Sequence, residues 1–482
     1  MKKNNEKRRE KVGHFSRIGY IISKMEADHS ANRRPALLIT TLGSFLIPFM
    51  GSSINIALPS IGKEFGMNAI LLSWVTTSYL LTIATFLVPS GRIGDIYGRK
   101  TIFTLGFVIY TFFSFFCSVS TSAFFLISFR VLQGIGASMT FSTGVAILMS
   151  VFPSGERGKV LGINVAAVYS GLSCGPILGG LLIHYLGWRT IFLVNVPFGL
   201  LIILFTFWKL RGEWAEAKGE KFDLAGSILY GFTLMTIIYG FSLLPGIWGT
   251  FFILLGIIGI WAFVKWEIRS KSPVFDMNLF RKNRVFGLSN LAALINYSAT
   301  FAVSFLLSLY LQFIKGLNPQ DAGMIMVFQP IVQAVFSPLA GRLSDRIEPR
   351  MVASAGMALT AVGLSFFIFL DEKTALSFIV VSLVLIGFGF ALFSSPNTNA
   401  VMGSIEKKFY GVASGILGTM RATGMMLSMG VVMLLFSLYM GRVQITPSHY
   451  APFIKSMKAA FTISAVLCLA GIFASLSRGR VR

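Results

Sequence analysis

The chain has 482 residues, 54% of them hydrophobic and only 13% charged, with a mean hydropathy of +0.73 and a net charge of +23. A soluble domain this apolar would lack the polar surface to stay dispersed, whereas a bundle of membrane helices needs little because lipid covers most of it. The large positive charge raises nucleic-acid binding as a function, and its placement along the chain argues against it.

Uncharged runs recur at roughly the length, about 20 residues, that one helix needs to cross a bilayer. In chain order they predict helices over 36–59, 69–90, 101–119, 122–150, 160–186, 190–208, 224–243, 249–264, 285–311, 322–341, 351–370, 374–400, 411–438 and 457–476. These are fourteen helices, so both tails lie on one side. Of the 42 Lys and Arg residues, 33 fall in the tails and even-numbered loops and seven on the opposite face, while Arg130 and Arg421 fall inside helices. That bias places both tails in the cytoplasm. The basic charge is topological, and no nucleic-acid partner is expected.

The first 35 residues are too long and polar for a cleavable signal peptide, and no small-residue cleavage pattern follows the first apolar stretch. Phe15, Ile18, Ile22 and Met25 recur at helical spacing among basic residues, which suits a tail lying on the inner leaflet. A disordered basic tail fits as well. Cys117, Cys174 and Cys468 fall within predicted helices, with neither a disulfide framework nor metal spacing.

A motif occurs twice, as GRIGDIYGRK from Gly91 to Lys100 and as GRLSDRIEPR from Gly341 to Arg350. Each copy reads as a short basic turn holding one acid, Asp95 or Asp345. The copies lie 250 residues apart, whereas six helices with short loops take roughly 190–210. The surplus fits one helix pair, supplied by 41 uncharged residues from Leu224 to Val264, broken at Leu244-Pro245-Gly246. The expected organisation is an all-α integral membrane protein in a 6 + 2 + 6 arrangement. It divides into a basic tail (1–35), a first half (36–210), a linker with two extra helices (211–284), a second half (285–477) and a short tail (478–482). Internal repeats of this kind are common in secondary transporters, which rock two halves around a central site.

Several motifs, in order, carry a family resemblance. NIALP (Asn55–Pro59) ends the first helix and GRIGDIYGRK follows the second. Arg130 with Gln133-Gly134 and Gly136 lies in the fourth, GLSCGPILGG (Gly171–Gly180) in the fifth, and GWRTIFLVNVPFG (Gly187–Gly199) joins the fifth to the sixth. The chain resembles the major facilitator superfamily, in particular its fourteen-helix drug:proton antiporter branch, over nearly everything after Pro35. The resemblance implies the major facilitator fold and a monomeric transporter.

A carboxylate at the cytoplasmic end of a helix can pair with an arginine or meet the positive N-terminus of another helix. Such a contact latches the halves in one state and breaks in the other. The resemblance implies this latch role for Gly91, Asp95, Gly98 and Arg99, and the second copy adds Asp345 and Arg350. The bland alternative is a solvated turn that sets topology. Gly171, Gly175 and Gly179 share a helix face with Pro176 and Gly180 beside them, and small residues let backbones approach closely in lipid. The resemblance places this glycine series at the interface between the halves.

Arg130 lies roughly 12 Å into the fourth helix and Arg421 about 15 Å into the thirteenth, at 1.5 Å per residue. Intramembrane charges are costly and usually face a cavity or a partner, yet none of the 19 acids falls in the middle of a predicted helix. Relatives commonly carry an aspartate where this chain has Met50. Proton exchange needs a titrating site, which leaves Asp95 near the cytoplasmic mouth and His184 as candidate carriers, although a lone histidine is more often structural. Chloride, sodium or no coupling remain alternatives.

The polar candidates for the cavity are Asn55, Gln133 and Asn164 in the first half, with Asn290, Asn296, Gln329, Gln333, Asn397 and Asn399 in the second. Each binds substrate or staples helices, and stapling is the commoner role. Two arginines without buried acids make the cavity positive, which favours a neutral or anionic amphiphile contacted by Arg130 or Arg421. No phosphate-cradling loop, metal spacing or nucleophile motif points to an enzyme, an ATP-driven pump, a cofactor or a metal. The expected function is multidrug-type efflux of small amphipathic compounds by alternating access, coupled to the proton gradient, across a prokaryotic plasma membrane. The alternative is a dedicated exporter of a lipid, organic acid or metabolite with other coupling or none.

Overall fold

The computed structural model describes residues 2–153, 155–270, 280, 283–406 and 410–479, with side chains from Asn32 onward except at 410 and 411. The tail side chains Phe15, Ile18, Ile22 and Met25 therefore lie outside the described ones. Among the described residues, fourteen helices are long and apolar enough to span a membrane. In the first half these are α1 (Asn32–Phe65), α2 (Ala69–Tyr97), α3 (Arg99–Ser118), α4 (Ala123–Val151), α5 (Arg157–Leu186) and α6 (Arg189–Lys209). The extra pair is α7 (Leu224–Leu243) and α8 (Ile247–Arg269). The second half comprises α9 (Arg284–Ile314), α10 (Pro319–Ser344), α11 (Pro349–Phe367), α12 (Leu376–Gly403), α13 (Val412–Tyr439) and α14 (Pro447–Ser477).

The ends differ from the sequence expectation where helix outlasts lipid. α2 continues through Gly91–Tyr97, so most of the first motif is helix and the turn is confined to Gly98. α14 starts at Pro447 rather than at 457, because a proline opens it and Lys455 is exposed. α9 is interrupted at Phe301, where the Ala302 N–H donates to Ser428 Oγ of α13 at 3.1 Å. A backbone donor released at a break in lipid is satisfied by a neighbouring side chain.

Within the first half α1 packs on α5, and α4 on α2 and α3; in the second, α12 packs on α10 and α11, and α9 on α13 and α14. The extra hairpin lies against both α2 and α13. There an added Cβ on Gly231 would sit 2.6 Å from Thr85, and Tyr230 Oη lies 3.4 Å from Thr423 Oγ1. The hairpin thus flanks the seam between the halves.

On the outer side, assigned from the charge bias, the halves are in close contact. Ser308 Oγ donates to the Asn55 carbonyl at 2.5 Å and Gln312 Nε2 to the Ile56 carbonyl at 3.0 Å. The Ala69 N–H meets the Val443 carbonyl at 3.1 Å, and Gln444 Nε2 the Gly66 carbonyl at 3.0 Å.

Candidate translocation site

The helices α5 and α10 meet so tightly that a Cβ on Gly323 would fall 2.1 Å from the Pro176 carbonyl oxygen, and one on Gly180 would fall 2.6 Å from that of Pro319. Gly171, Gly175 and Gly179 do not share this contact. Their added Cβ atoms would meet Phe45, Ser52 and Ser53 of α1, within the first half. At 3.6 residues per turn, positions 176 and 180 lie about 100° around the helix from 175 and 179. One glycine stripe therefore splits into an α1-facing row and a half-to-half pair.

The cytoplasmic motif is held by a network in which sequence reasoning saw only half the partners. Arg99 is 8% exposed and donates through Nε to Asp95 Oδ1 at 2.7 Å. Its Nη1 and Nη2 make a fork with Glu216 at 2.7 and 3.0 Å, and Nη1 also reaches Ser150. Glu213 accepts from the Lys100 N–H at 2.7 Å and the Thr101 N–H at 3.0 Å, covering the start of α3. Arg92 pairs with Glu220. The α6–α7 linker thus lays three acids, at spacings of three and four, on the basic motif. That spacing opposite a basic loop was the available signal, but nothing local named its partner.

Of the two membrane arginines, Arg130 is sealed in the first half, at 0% exposure. Its Nε donates to the Val75 carbonyl at 3.2 Å, its Nη1 to Gln133 Oε1 at 2.7 Å, and its guanidinium stacks 4.0 Å from the Tyr79 ring centre. Gln133 passes the chain to Ser114 Oγ at 2.7 Å. Arg130 and Gln133 are both wholly buried here among residues of α2, α3, α4 and α6, all within the first half. Met50, at the position of the aspartate common in relatives, is buried nearby. Its sulfur lies 3.3 Å from Asn195 Nδ2, and Asn195 Oδ1 accepts from Tyr110 Oη at 3.2 Å.

Arg421 is different. It is half-buried on α13, donates through Nη2 to Thr398 Oγ1 at 2.7 Å, and lies 5.6 Å from the Tyr297 ring centre. Beside this group the halves touch, with Tyr169 Oη of α5 3.0 Å from Ser394 Oγ of α12. No carboxylate pairs with Arg421 among the described residues.

The remaining amides divide between staples and open groups. Asn164 ties α5 to Ser44 of α1 at 2.8 Å, and Asn399 ties α12 to Ser344 at 2.7 Å. Asn397 donates to the Ser289 carbonyl at 3.1 Å and accepts from Arg478 at 2.8 Å. Asn55, Asn290 and Asn296 keep unpartnered buried amide atoms. Gln333 is buried and Gln329 half-buried on α10. His184 is exposed at the outer end of α5, its ring against Tyr185, and so stands apart from the central residues. Arg478, expected in a tail, is instead wholly buried, and that burial pushes its guanidinium down to about 10.

The sequence model of the Major Facilitator Superfamily matches residues 40–264 and 290–481. The chain belongs to this superfamily. Like other major facilitators it is a multi-pass membrane transporter. It is 30% identical over 439 residues to the riboflavin transporter RibZ of Clostridioides difficile, covering 90% of this chain and 95% of that protein. It is 31% identical over 402 residues to the multidrug resistance protein Stp of Mycobacterium tuberculosis, covering 82% and 74%. Its fold matches that of a bacterial homologue of the lysosomal transporter Spinster with a TM-score of 0.67, at 15% identity over 93% of this chain and 97% of that one.

Proposed function

We propose that this major facilitator exports small amphipathic compounds of neutral or anionic charge from a bacterial cytoplasm across the plasma membrane. It works by alternating access, as a monomer, coupled to the proton gradient with Asp95 as the carrier at the cytoplasmic mouth. The observation that carries the reading is Arg421, a half-buried cation among Tyr297, Thr398 and the Tyr169–Ser394 contact, without a carboxylate beside it. A positive, aromatic site between the halves attracts an anionic or neutral ring system and repels a cation. The relatives named for multidrug resistance and for riboflavin support it, as does the close outer contact between the halves.

A second reading, transport of one neutral planar metabolite, is favoured by RibZ, which aligns over nearly its whole length. Both are tested in everted membrane vesicles given riboflavin, fluorescein and ethidium. Fluorescein and riboflavin should accumulate on energisation, ethidium should not, and Arg421→Ala should cut fluorescein uptake about tenfold, the worth of one charge-assisted hydrogen bond. Ethidium carried as well as fluorescein, by wild type and variant alike, would sink the proposal. Riboflavin carried alone would establish the second reading.

A further inference from the structure

On the flank of the second half, a crevice of about 740 Å³ opens between α9, Met420 of α13 and the end of α14. One face of α9 forms its floor, with Arg284, Leu288, Leu291 and Leu294 recurring at the three- and four-residue spacing of a single helix surface. It narrows where α13 crosses α9, at the point where a Cβ on Gly424 would lie 2.6 Å from the Leu294 carbonyl oxygen and 2.9 Å from Tyr297 Cβ.

The dimensions are those of one leaflet. Arg284 begins α9 on the cytoplasmic side, and the ten residues to Leu294 rise about 15 Å, half of a hydrocarbon core roughly 30 Å thick. The crevice therefore runs from the inner headgroup level to the midplane and closes there. Its charge is equally specific. Arg284 is exposed and has no ion-pair partner among the described residues. The chain from Lys265 to Arg284 holds six basic residues against two acids, Glu267 and Asp276. Met420 lines the crevice while its neighbour Arg421 reaches Thr398, so the crevice and the central site use different faces of α13.

We propose that this crevice is a binding site for one anionic phospholipid of the inner leaflet. Its phosphate sits at Arg284, and one acyl chain lies along Leu288, Leu291 and Leu294 to Met420. A guanidinium grips a phosphate in a short charge-assisted contact, and the negative inner leaflet supplies the ligand at high local concentration.

The test uses the full chain reconstituted in vesicles of equal phosphatidylglycerol and phosphatidylcholine with identical acyl chains. After mild extraction, retained lipid is counted by native mass spectrometry. Wild type should keep one phosphatidylglycerol in about fivefold preference, the contribution of a single basic contact near the surface. Arg284→Gln, an exposed change, should bring that preference close to one, and Leu291→Trp should fill the crevice and lose both lipids. Equal retention of the two lipids by wild type would overturn the site, as would an undiminished preference in Arg284→Gln. Fluorescein displacing the retained lipid would make the crevice a solute site and overturn it too.

Discussion

In the first half, the residue four places after the motif aspartate is Arg99, which bonds Asp95 at 2.7 Å and takes a fork from Glu216 of the α6–α7 linker. In the second half the same position is Pro349, the first residue of α11, and the following Arg350 reaches the Leu476 carbonyl at 3.5 Å instead. Asp345 is exposed at the end of α10. Two segments of shared pattern thus place their arginines differently, and Arg350 does not make the contacts that Arg99 makes. The asymmetry has a physical origin, since the linker and its acids join the first half's cytoplasmic face. In the first copy the motif is clasped by the acids of its own linker, in an arrangement where the halves meet on the outer side.

The largest test of that contrast removes the central cation. Arg99→Ala leaves Asp95 and Glu216 as two carboxylates with a common vacancy between them, in a partly buried place. Removing one partner of a fully buried pair costs roughly 3–5 kcal/mol. The 64% exposure of the Glu216 side chain screens part of that, so a loss of about 2 kcal/mol is expected. Thermal unfolding in detergent should register it, with vesicle transport down about tenfold. Arg350→Ala should stay within about 0.5 kcal/mol. Equal losses in the two variants would erase the distinction.

Next comes the turn itself. Gly98 has φ of +122°, and an added Cβ would fall 2.4 Å from Glu213 Cδ. Gly98→Ala should cost about 1–3 kcal/mol in the same unfolding measurement, from backbone strain and the clash together. In a Glu213→Ala background only the strain remains, so the cost should shrink. An unchanged cost would mean that the linker acid does not press on this turn.

The spans were legible because lipid enforces about 20 uncharged residues at a time, and the charge bias then oriented them. Helix ends were less legible, since Gly91–Tyr97 and the start of α14 stay helical beyond the apolar core. The site was read only in part. Spacing told which glycines share a face of α5 but not that α1, rather than the other half, covers Gly171, Gly175 and Gly179. Arg130 reads from its position alone as a cavity charge; its actual partners are a carbonyl and a ring of α2 and an amide of its own helix α4. The link from Glu216 to Arg99 spans 117 residues, and an exposed acid in a linker carries no local mark of such a contact.

The smallest effect offers the sharpest reading of what the first motif needs. Pro349→Arg restores the i,i+4 aspartate–arginine pair of the first copy at the end of α10. A helix-surface pair of this kind is worth about 0.2–0.5 kcal/mol, and α11 loses a proline suited to its first position. The net change in unfolding should stay within about 0.5 kcal/mol, with transport unaltered, because residues 478–482 after α14, the counterpart of the α6–α7 linker, hold no acid to complete the fork. Screening should be visible as well, as the added pair would weaken in high salt while the Arg99 cluster, being 8% exposed at its centre, holds better. A gain well above about 1 kcal/mol would show that the aspartate–arginine pair suffices by itself. The three glutamates of the α6–α7 linker would then be incidental neighbours of the motif rather than half of its anchor.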